Sequence, residues 1–447
     1  MSAKADPREL LSDLIRHART LGADAADALL VEGAALSHAQ RMGRIEKLER
    51  QESQDLGLRV LIGKRQAMVS GAVLDRATLH ALAERAVAMA RVVPEDEFCG
   101  LADPSQIATS FPTIDLDDPV EPASETLIAR AKAAEESALA VKGITNSEGA
   151  EASWGRSRVT LEASNGFFGS YARSSQSISV SVIAGEGTAM ERDYDWHSAV
   201  YGADLEDPAT LGRRAAEKAI KRLNPRRPKT AKLPVVYDPR VSNSMIGHFL
   251  GAINGAAIAR GTSFLRDQLG KDVFGQHVSI VEDPHRQRGQ RSRPFDAEGI
   301  ATQKYDLVRN GALTTWLLDL RSARQLQLKS TGHAGRGTSG PPSPSASNVY
   351  LAAGSKTPAG LIGEIEQGIY VTELIGFGVN GITGDYSRGA GGFWIEKGQL
   401  THPINEITVA GNLKDMFKAL TPANDLNFRY GTDAPTLRID GMTIAGA

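Results

Sequence analysis

One short segment, Asn224-Pro225-Arg226-Arg227-Pro228-Lys229-Thr230, constrains this chain more than any other. It lies between a helical pattern and a strand pattern. Its two prolines fix φ and remove backbone donors, so neither pattern continues through it. The chain has 447 residues, too many for one ordinary core, and the segment cuts it into stretches of about 200 residues each, a usual domain size. The expectation is an N-terminal α+β domain over residues 1–224, a linker at 225–230 and a C-terminal β-rich domain over 231–447.

On the N-terminal side, Asp6 can cap a helix and Pro7 suits its first turn, where a missing N–H costs nothing. Leu10, Leu11, Leu14, Ile15 and Ala18 then recur at helical spacing, and Gly22 supplies the stop. Residues 75–93 and 124–141 read as two more helices, and 211–223 as a basic one. Strands are expected at 28–31 and 56–62. A hairpin is expected at 156–163 and 167–173, turning on Ser164-Asn165-Gly166. Ile178, Val180 and Val182 alternate with serines, as a half-buried strand does.

Past the linker, residues 233–237 read as a buried strand, and Asp238-Pro239 opens a helix with Met245, Ile246, Phe249, Leu250 and Ile253 on its apolar face. The remainder is glycine-punctuated, with short strand candidates at 313–318, 349–351, 368–371 and 392–395. Turns at this density predict a curved antiparallel sheet, barrel- or sandwich-like. The fold class is α+β.

Charge excludes some functions. Lys and Arg total 51 against 53 Asp and Glu, a net −2. Such a balance gives no field toward polyphosphate or anionic lipid, so direct nucleic-acid or membrane partners are not expected. The single cysteine, Cys99, excludes an internal disulfide framework and fits a reducing compartment. The first twenty residues carry Asp6, Glu9 and Asp13 without a long apolar run, unlike a secretory leader, and no apolar stretch is long enough to span a bilayer. The expected location is the cytoplasm.

A search for chemistry finds little. None of the nine histidines precedes a glutamate, and the nearest pair, His277 and His285, is too widely spaced for a helical zinc site. His248 reads as a polar residue on a mostly apolar helix. No nucleophile elbow or phosphate-binding loop occurs. Cys99 follows Glu95, Asp96 and Glu97, which would raise rather than lower its thiol pKa. Residues 285–293 hold four arginines but no aromatic residue to stack bases, and read as a solvated loop. The densest run of recognition chemistry is Gly384-Asp385-Tyr386-Ser387-Arg388-Gly389-Ala390-Gly391-Gly392-Phe393-Trp394. Its carboxylate, hydroxyls, guanidinium and aromatic bodies fit either ligand contact or a tight bulged strand pair. Upstream, Thr331-Gly332-His333-Ala334-Gly335-Arg336 forms a glycine-rich loop.

Several of these stretches together resemble the TldD/PmbA family, and within it the PmbA (TldE) branch. The residues that carry the resemblance are Thr145-Asn146-Ser147-Glu148-Gly149-Ala150, Met190-Glu191-Arg192-Asp193-Tyr194, Gly261-Thr262-Ser263-Phe264, Ser292-Arg293-Pro294-Phe295-Asp296, Thr315-Trp316-Leu317-Leu318-Asp319, Gly384 to Gly389, and Ile407-Thr408-Val409-Ala410-Gly411-Asn412-Leu413. In the family's TldD-type subunit, an H-E-x-x-x-H zinc motif precedes the Gly-Thr-Ser stretch, and a cysteine ligand lies near the C-terminus. Counting back from Gly261 puts Ile246, Gly247 and Gly251 at those positions, and Phe428 to Ala434 contains no cysteine. The resemblance therefore implies a non-catalytic subunit with no metal or cofactor of its own, active only beside a TldD-like zinc subunit, or paired with a second copy when isolated. It further implies an unstructured peptide as substrate, with His333, Arg336, Asp385, Tyr386, Arg388 and Trp394 as candidate peptide or partner contacts. The alternatives are a gyrase-modulator-like regulator of a DNA enzyme, and an independent hydrolase whose groups meet only in space.

Overall fold

The computed structural model describes residues 6–446; Met1–Ala5, within the segment read as no leader, lie outside them. The first half is built on six antiparallel strands: β1 (Ala25–Arg41), β2 (Arg44–Ile62), β3 (Arg65–Gly71), β4 (Ile144–Ala163), β5 (Phe168–Ala184) and β6 (Glu191–Ala199). Their spatial order is β3-β2-β1-β4-β5-β6. Four helices pack on it: α1 (Pro7–Thr20), α2 (Arg76–Val92), α3 (Ser124–Leu139) and α4 (Pro208–Lys221). Alternation along β1 explains the layering, since successive side chains point to opposite faces. Ala26, Ala28 and Leu30 join α1 and α2 in one core, and Leu36 on the same face joins α3 and α4 in another. Leu29, on the opposite face, packs with Leu161, Phe167 and Phe295, the last from the second half of the chain.

Strands β1 and β2 run far beyond residues 28–31 and 56–62, the segments expected from sequence. Their turn, at Met42 and Gly43, has positive φ at both residues, as a two-residue hairpin requires. Glu135 of α3, fully buried, clamps this turn. Its carboxylate accepts from the Met42 N–H at 2.8 Å, the Gly43 N–H at 3.0 Å, Gln40 Nε2 at 2.8 Å and Ser147 Oγ at 2.7 Å. Burial alone would raise the Glu135 pKa, but these donors hold it below the usual carboxylate value.

In the second half come β7 (Ala231–Tyr237), α5 (Pro239–Ala252), α6 (Gly255–Ala259), β8 (Ile280–Glu282), β9 (Tyr305–Arg309), β10 (Ala312–Leu313), α7 (Leu320–Gln325), β11 (Ala334–Gly335), β12 (Ser343–Pro344) and β13 (Val349–Leu351). They are followed by α8 (Pro358–Gly363), β14 (Gln367–Ile375), β15 (Asp385–Glu396), β16 (Gln399–Asn412), α9 (Leu413–Ala419), β17 (Leu420–Pro422), β18 (Thr432–Asp433) and β19 (Leu437–Ala445). One sheet runs β16-β15-β14-β7-β19-β17, and β19 also pairs with β16, closing five strands into a barrel. Only β7–β14 is parallel within it. Val235, Tyr237, Ile369, Val371, Val409 and Ile439 contribute to its core, on which α5 packs through Met245, Ile246 and Phe249. A second sheet runs β10-β9-β8-β13-β18. The fold is α+β, and no helix among the described residues is long and apolar enough to cross a membrane.

Two local expectations change. Residues 313–318 form a strand only at Ala312–Leu313. Beyond it the chain leaves the sheet to bond Ile253 and Gly255, Leu317 N–H donating to Ile253 O at 3.1 Å and Leu317 O accepting from Gly255 N–H at 2.8 Å. The arginine-rich loop 285–293 is exposed at Gln287, Arg288 and Arg291, as a solvated loop is, but it also joins the two halves. Arg286 lies 3.4 Å over the Phe428 ring, and Arg288 pairs with Asp115 at 2.8 Å and Asp204 at 2.9 Å.

Candidate functional site

Helix α5 begins as its sequence dictates. Asp238 caps it by accepting from Arg240 N–H at 3.0 Å, and Pro239 fills the first turn. Arg240 leaves the helix to donate twice to Asp193 of β6, at 2.6 and 3.0 Å, and once to Thr372 O at 2.9 Å. Those bonds fix the helix against both the N-terminal sheet and β14. Its apolar face is buried, including Ile246. The other face is bare, for Gly247 and Gly251 are exposed and a Cβ at either would meet no atom within 4 Å.

The positions counted from the family motif are therefore an interior isoleucine and two exposed glycines. None of them carries a donor atom. Among the described residues, no group of three or more His, Cys, Asp or Glu side chains is placed to hold a metal ion. The residues present do not fit a zinc site of the kind three or four nitrogen, sulfur or carboxylate ligands form.

What does gather at α5 is one histidine and the start of β15. The His248 ring meets the Tyr386 ring edge-on, with centroids 5.8 Å apart. Burial, and then the nearby Arg388 charge, lowers the His248 pKa to about 4. His248 Nε2 and Arg388 Nε are buried without a hydrogen-bond partner. Tyr386 is itself buried beside Tyr237, and burial pushes its phenol up to about 12. Arg388 also lies 5.9 Å from the centre of the Phe377 ring, which is fully exposed. Ile375, the last residue of β14, and Ile382, in the β14–β15 connection, are exposed as well. That connection is docked on the Gly261-Thr262-Ser263-Phe264 stretch, Phe264 N–H donating to Gly381 O at 2.9 Å. A bare helix face, a neutral imidazole, an arginine and an apolar rim thus adjoin one another. They can bind, position and exclude water, but they hold no activated nucleophile.

The sequence candidates separate into three places. Tyr386 and Arg388 belong to this cluster. Asp385 is next to it but engaged with its own loop, accepting from Thr383 Oγ1 at 2.6 Å and Asn412 Nδ2 at 3.0 Å, which lower its pKa. Trp394 lies near the other end of β15, half-buried and stacked 6.4 Å from His402. His333 and Arg336 are interior residues. The His333 ring bonds Glu282 through Nε2 and Thr331 Oγ1 through Nδ1, leaving neither nitrogen to a ligand. The Arg336 side chain has no solvent exposure and pairs with Asp27. Sequence reasoning read His248 only as a polar residue on a mostly apolar helix, and passed over the exposed Ile375, Phe377 and Ile382. Only the flanking Gly376 and Gly378 signalled an unusual loop there. Cys99 is buried, and burial with Asp96 raises its thiol pKa, as its acidic surroundings implied.

Known proteins give the family directly. Models of PmbA/TldA metallopeptidase domain 1, central domain and C-terminal domain match residues 26–90, 117–223 and 230–446. Metalloprotease PmbA of Escherichia coli O157:H7 is 36% identical over 444 residues, covering 98% of this chain and 97% of that protein. A crystal structure from Bacteroides thetaiotaomicron, named for a proposed modulation of DNA gyrase, superposes with a TM-score of 0.92 at 28% identity, covering 99% of this chain and 100% of that one. TldE from Thermococcus kodakarensis shares the fold, with a TM-score of 0.87 at 19% identity over 98% of this chain and 100% of that one. Weaker matches reach TldD homologues. The chain belongs to the PmbA/TldD metallopeptidase family and lies with its PmbA/TldE branch.

Proposed function

We propose that this chain is the non-catalytic subunit of a cytoplasmic two-subunit metallopeptidase that matures or degrades unstructured peptides. One observation carries the proposal: where the family's zinc helix would present ligands, α5 presents the buried Ile246 and the side-chain-free Gly247 and Gly251. The zinc and its activated water belong to a TldD-type partner. This subunit supplies surface. Its bare helix face admits another backbone closely, and the exposed Phe377 beside Arg388 offers an apolar contact next to a cation. Direct DNA binding gains little from the 285–293 loop, since Arg286 is stacked on Phe428 and Arg288 is already paired with Asp115 and Asp204.

The test is to purify the chain alone and with a TldD-type protein, then measure zinc per subunit and cleavage of an unstructured peptide. Zinc and cleavage only in a one-to-one mixture are expected. Arg388→Ala and Phe377→Asp should then impair cleavage or assembly. Stoichiometric zinc and cleavage by the chain alone would overturn the proposal.

A further inference from the structure

Arg388 is a cation without a counter-charge. Among the described residues no carboxylate pairs with it, and its Nε is buried without an acceptor. A surface arginine would have that donor in water. The carboxylate nearest in sequence, Asp385, is engaged with its own loop through Thr383 and Asn412. Side chains alternate along a strand, so Asp385 also stands on the opposite face of β15 from Tyr386 and Arg388. On the Arg388 face, the His248 ring lies edge-on to Tyr386, and His248 Nε2 is likewise buried and unpartnered. Buried polar groups left unbonded are destabilising, a charged donor more than a neutral one. Two of them side by side mark a place built for a group that arrives from outside.

The chemistry of that group follows from the pair. A guanidinium presents a planar fork of donors that matches a carboxylate. His248 is neutral in neutral solution, burial and then Arg388 holding its pKa to about 4. As its Nε2–H tautomer it therefore adds one donor and no charge. Together the two compensate a single negative charge, as a carboxylate carries, rather than the nearly two of a phosphate group. We propose that Arg388 and His248 bind a carboxylate of the peptide substrate, so that this subunit selects chains by a free C-terminus or an acidic side chain. That the ligand is a peptide rests on the function proposed above; that it carries a carboxylate rests on the site.

The surroundings admit a peptide main chain to the pair. Gly247 and Gly251 flank His248 on α5, Gly251 one turn on from both. Each is exposed, and a Cβ at either would touch nothing within 4 Å. A backbone can therefore lie against this turn and carry its terminal carboxylate, or that of an Asp or Glu, to Arg388. Beside the guanidinium, the exposed Phe377 ring lies 5.9 Å away. An apolar side chain next to the carboxylate would pack on that ring and keep water off the ion pair, which strengthens it.

The test compares three N-terminally fluorescent peptides of one Gly, Ser, Ala and Leu sequence. The first has a free C-terminal carboxylate, the second a C-terminal amide, and the third the amide with one internal glutamate. Binding to the full chain alone is read by fluorescence anisotropy. The first or the third is expected to bind at least about tenfold tighter than the second, and which one does so tells whether the terminus or a side chain is read. Arg388→Gln should bring the carboxylate peptides down to the amide, and Arg388→Lys should restore part of the difference. Since Arg388→Gln breaks no pairing, it should not lower the melting temperature. A merely structural role for Arg388 would change the binding of all three peptides alike. Equal binding or no binding of all three by the wild type, or a preference that survives Arg388→Gln, overturns the proposal. The measurement needs neither zinc nor cleavage. A carboxylate preference in a chain that binds zinc and cleaves by itself would sink only the subunit reading. Equal binding by a chain that needs a zinc partner for cleavage would sink only the carboxylate site.

Discussion

Asp27 on the first strand and Arg336, 309 residues further along, meet in an ion pair of 2.5 Å at which neither side chain is more than 3% exposed. Arg59 of β2 donates to the other oxygen of the same carboxylate. One buried carboxylate thus holds two arginines, one from each half of the chain. Burial opposes the charged form of Asp27, but Arg336 and then Arg59 keep its carboxyl below the usual range.

The two ends of this triad should respond unequally. Asp27→Ala leaves two guanidinium groups facing each other in a dry site, and a broken buried pair typically costs about 3–5 kcal/mol. Arg336→Met leaves Asp27 still bonded to Arg59 and should cost clearly less. Urea unfolding of both variants checks the order. Equal losses would mean that Arg336, and not the shared carboxylate, is the element that holds the halves.

Close to this triad, Glu298 is buried where burial, and then the Asp296 charge, raises its pKa to about 8, with Asp319 adding to the rise and Arg59 opposing it. Its carboxyl accepts from Leu320 N–H at 2.8 Å. An acid whose folded pKa is raised binds more protons folded than unfolded, so stability should fall as pH rises from its ordinary 4.5 through about 8. Glu298→Gln keeps the acceptor and removes the titration. Its melting temperature should decline less than that of the wild type over this window, and it should be the more stable protein at the alkaline end. Parallel melting curves for the two proteins would show that Glu298 does not titrate there.

Sequence carried local features and missed those set by distant partners. The caps of α1 and α5 were legible because Asp6 and Asp238 bond residues two positions on, at 2.9 and 3.0 Å. The polar half of β2 was not, because both its faces are exposed and no apolar alternation marks it. Only its pairing with β1 makes it a strand. His333 and Arg336 looked like loop residues free to meet a ligand. Their partners Glu282 and Asp27 lie 51 and 309 residues away, beyond any local pattern. In the candidate site Tyr386 and Arg388 stood out in a glycine-rich motif. His248 gained meaning only once β15 was laid across α5.

His248 gives a spectroscopic test of that arrangement. Below its ordinary value of 6.5, the unfolded chain takes up a proton that the folded ring refuses until about pH 4, so this group weakens the protein as pH falls across that interval. An NMR titration of the imidazole should show His248 neutral throughout mildly acidic solution. Arg388→Met removes the second cause of the shift but leaves burial, so the pKa should rise part of the way toward 6.5. No change in the variant would place Arg388 too far away to act on the ring.

Gly247 and Gly251 separate stability from assembly. Both lie within α5, where glycine costs about 0.5–1 kcal/mol relative to alanine, and neither has an atom within 4 Å of where a Cβ would stand. Gly247→Ala and Gly251→Ala should therefore each stabilise the isolated chain by about that amount, seen as a higher denaturation midpoint. Larger side chains, as in Gly247→Leu and Gly251→Leu, should also be tolerated by the chain alone, since they point into open space. If the bare face is where a zinc-bearing subunit or its peptide approaches, the leucine variants should lose complex formation or cleavage while keeping their stability. Leucine variants that are stable and fully competent would remove α5 from the contact surface. The missing side chains would then record only the loss of the metal, and not a surface shaped for a partner.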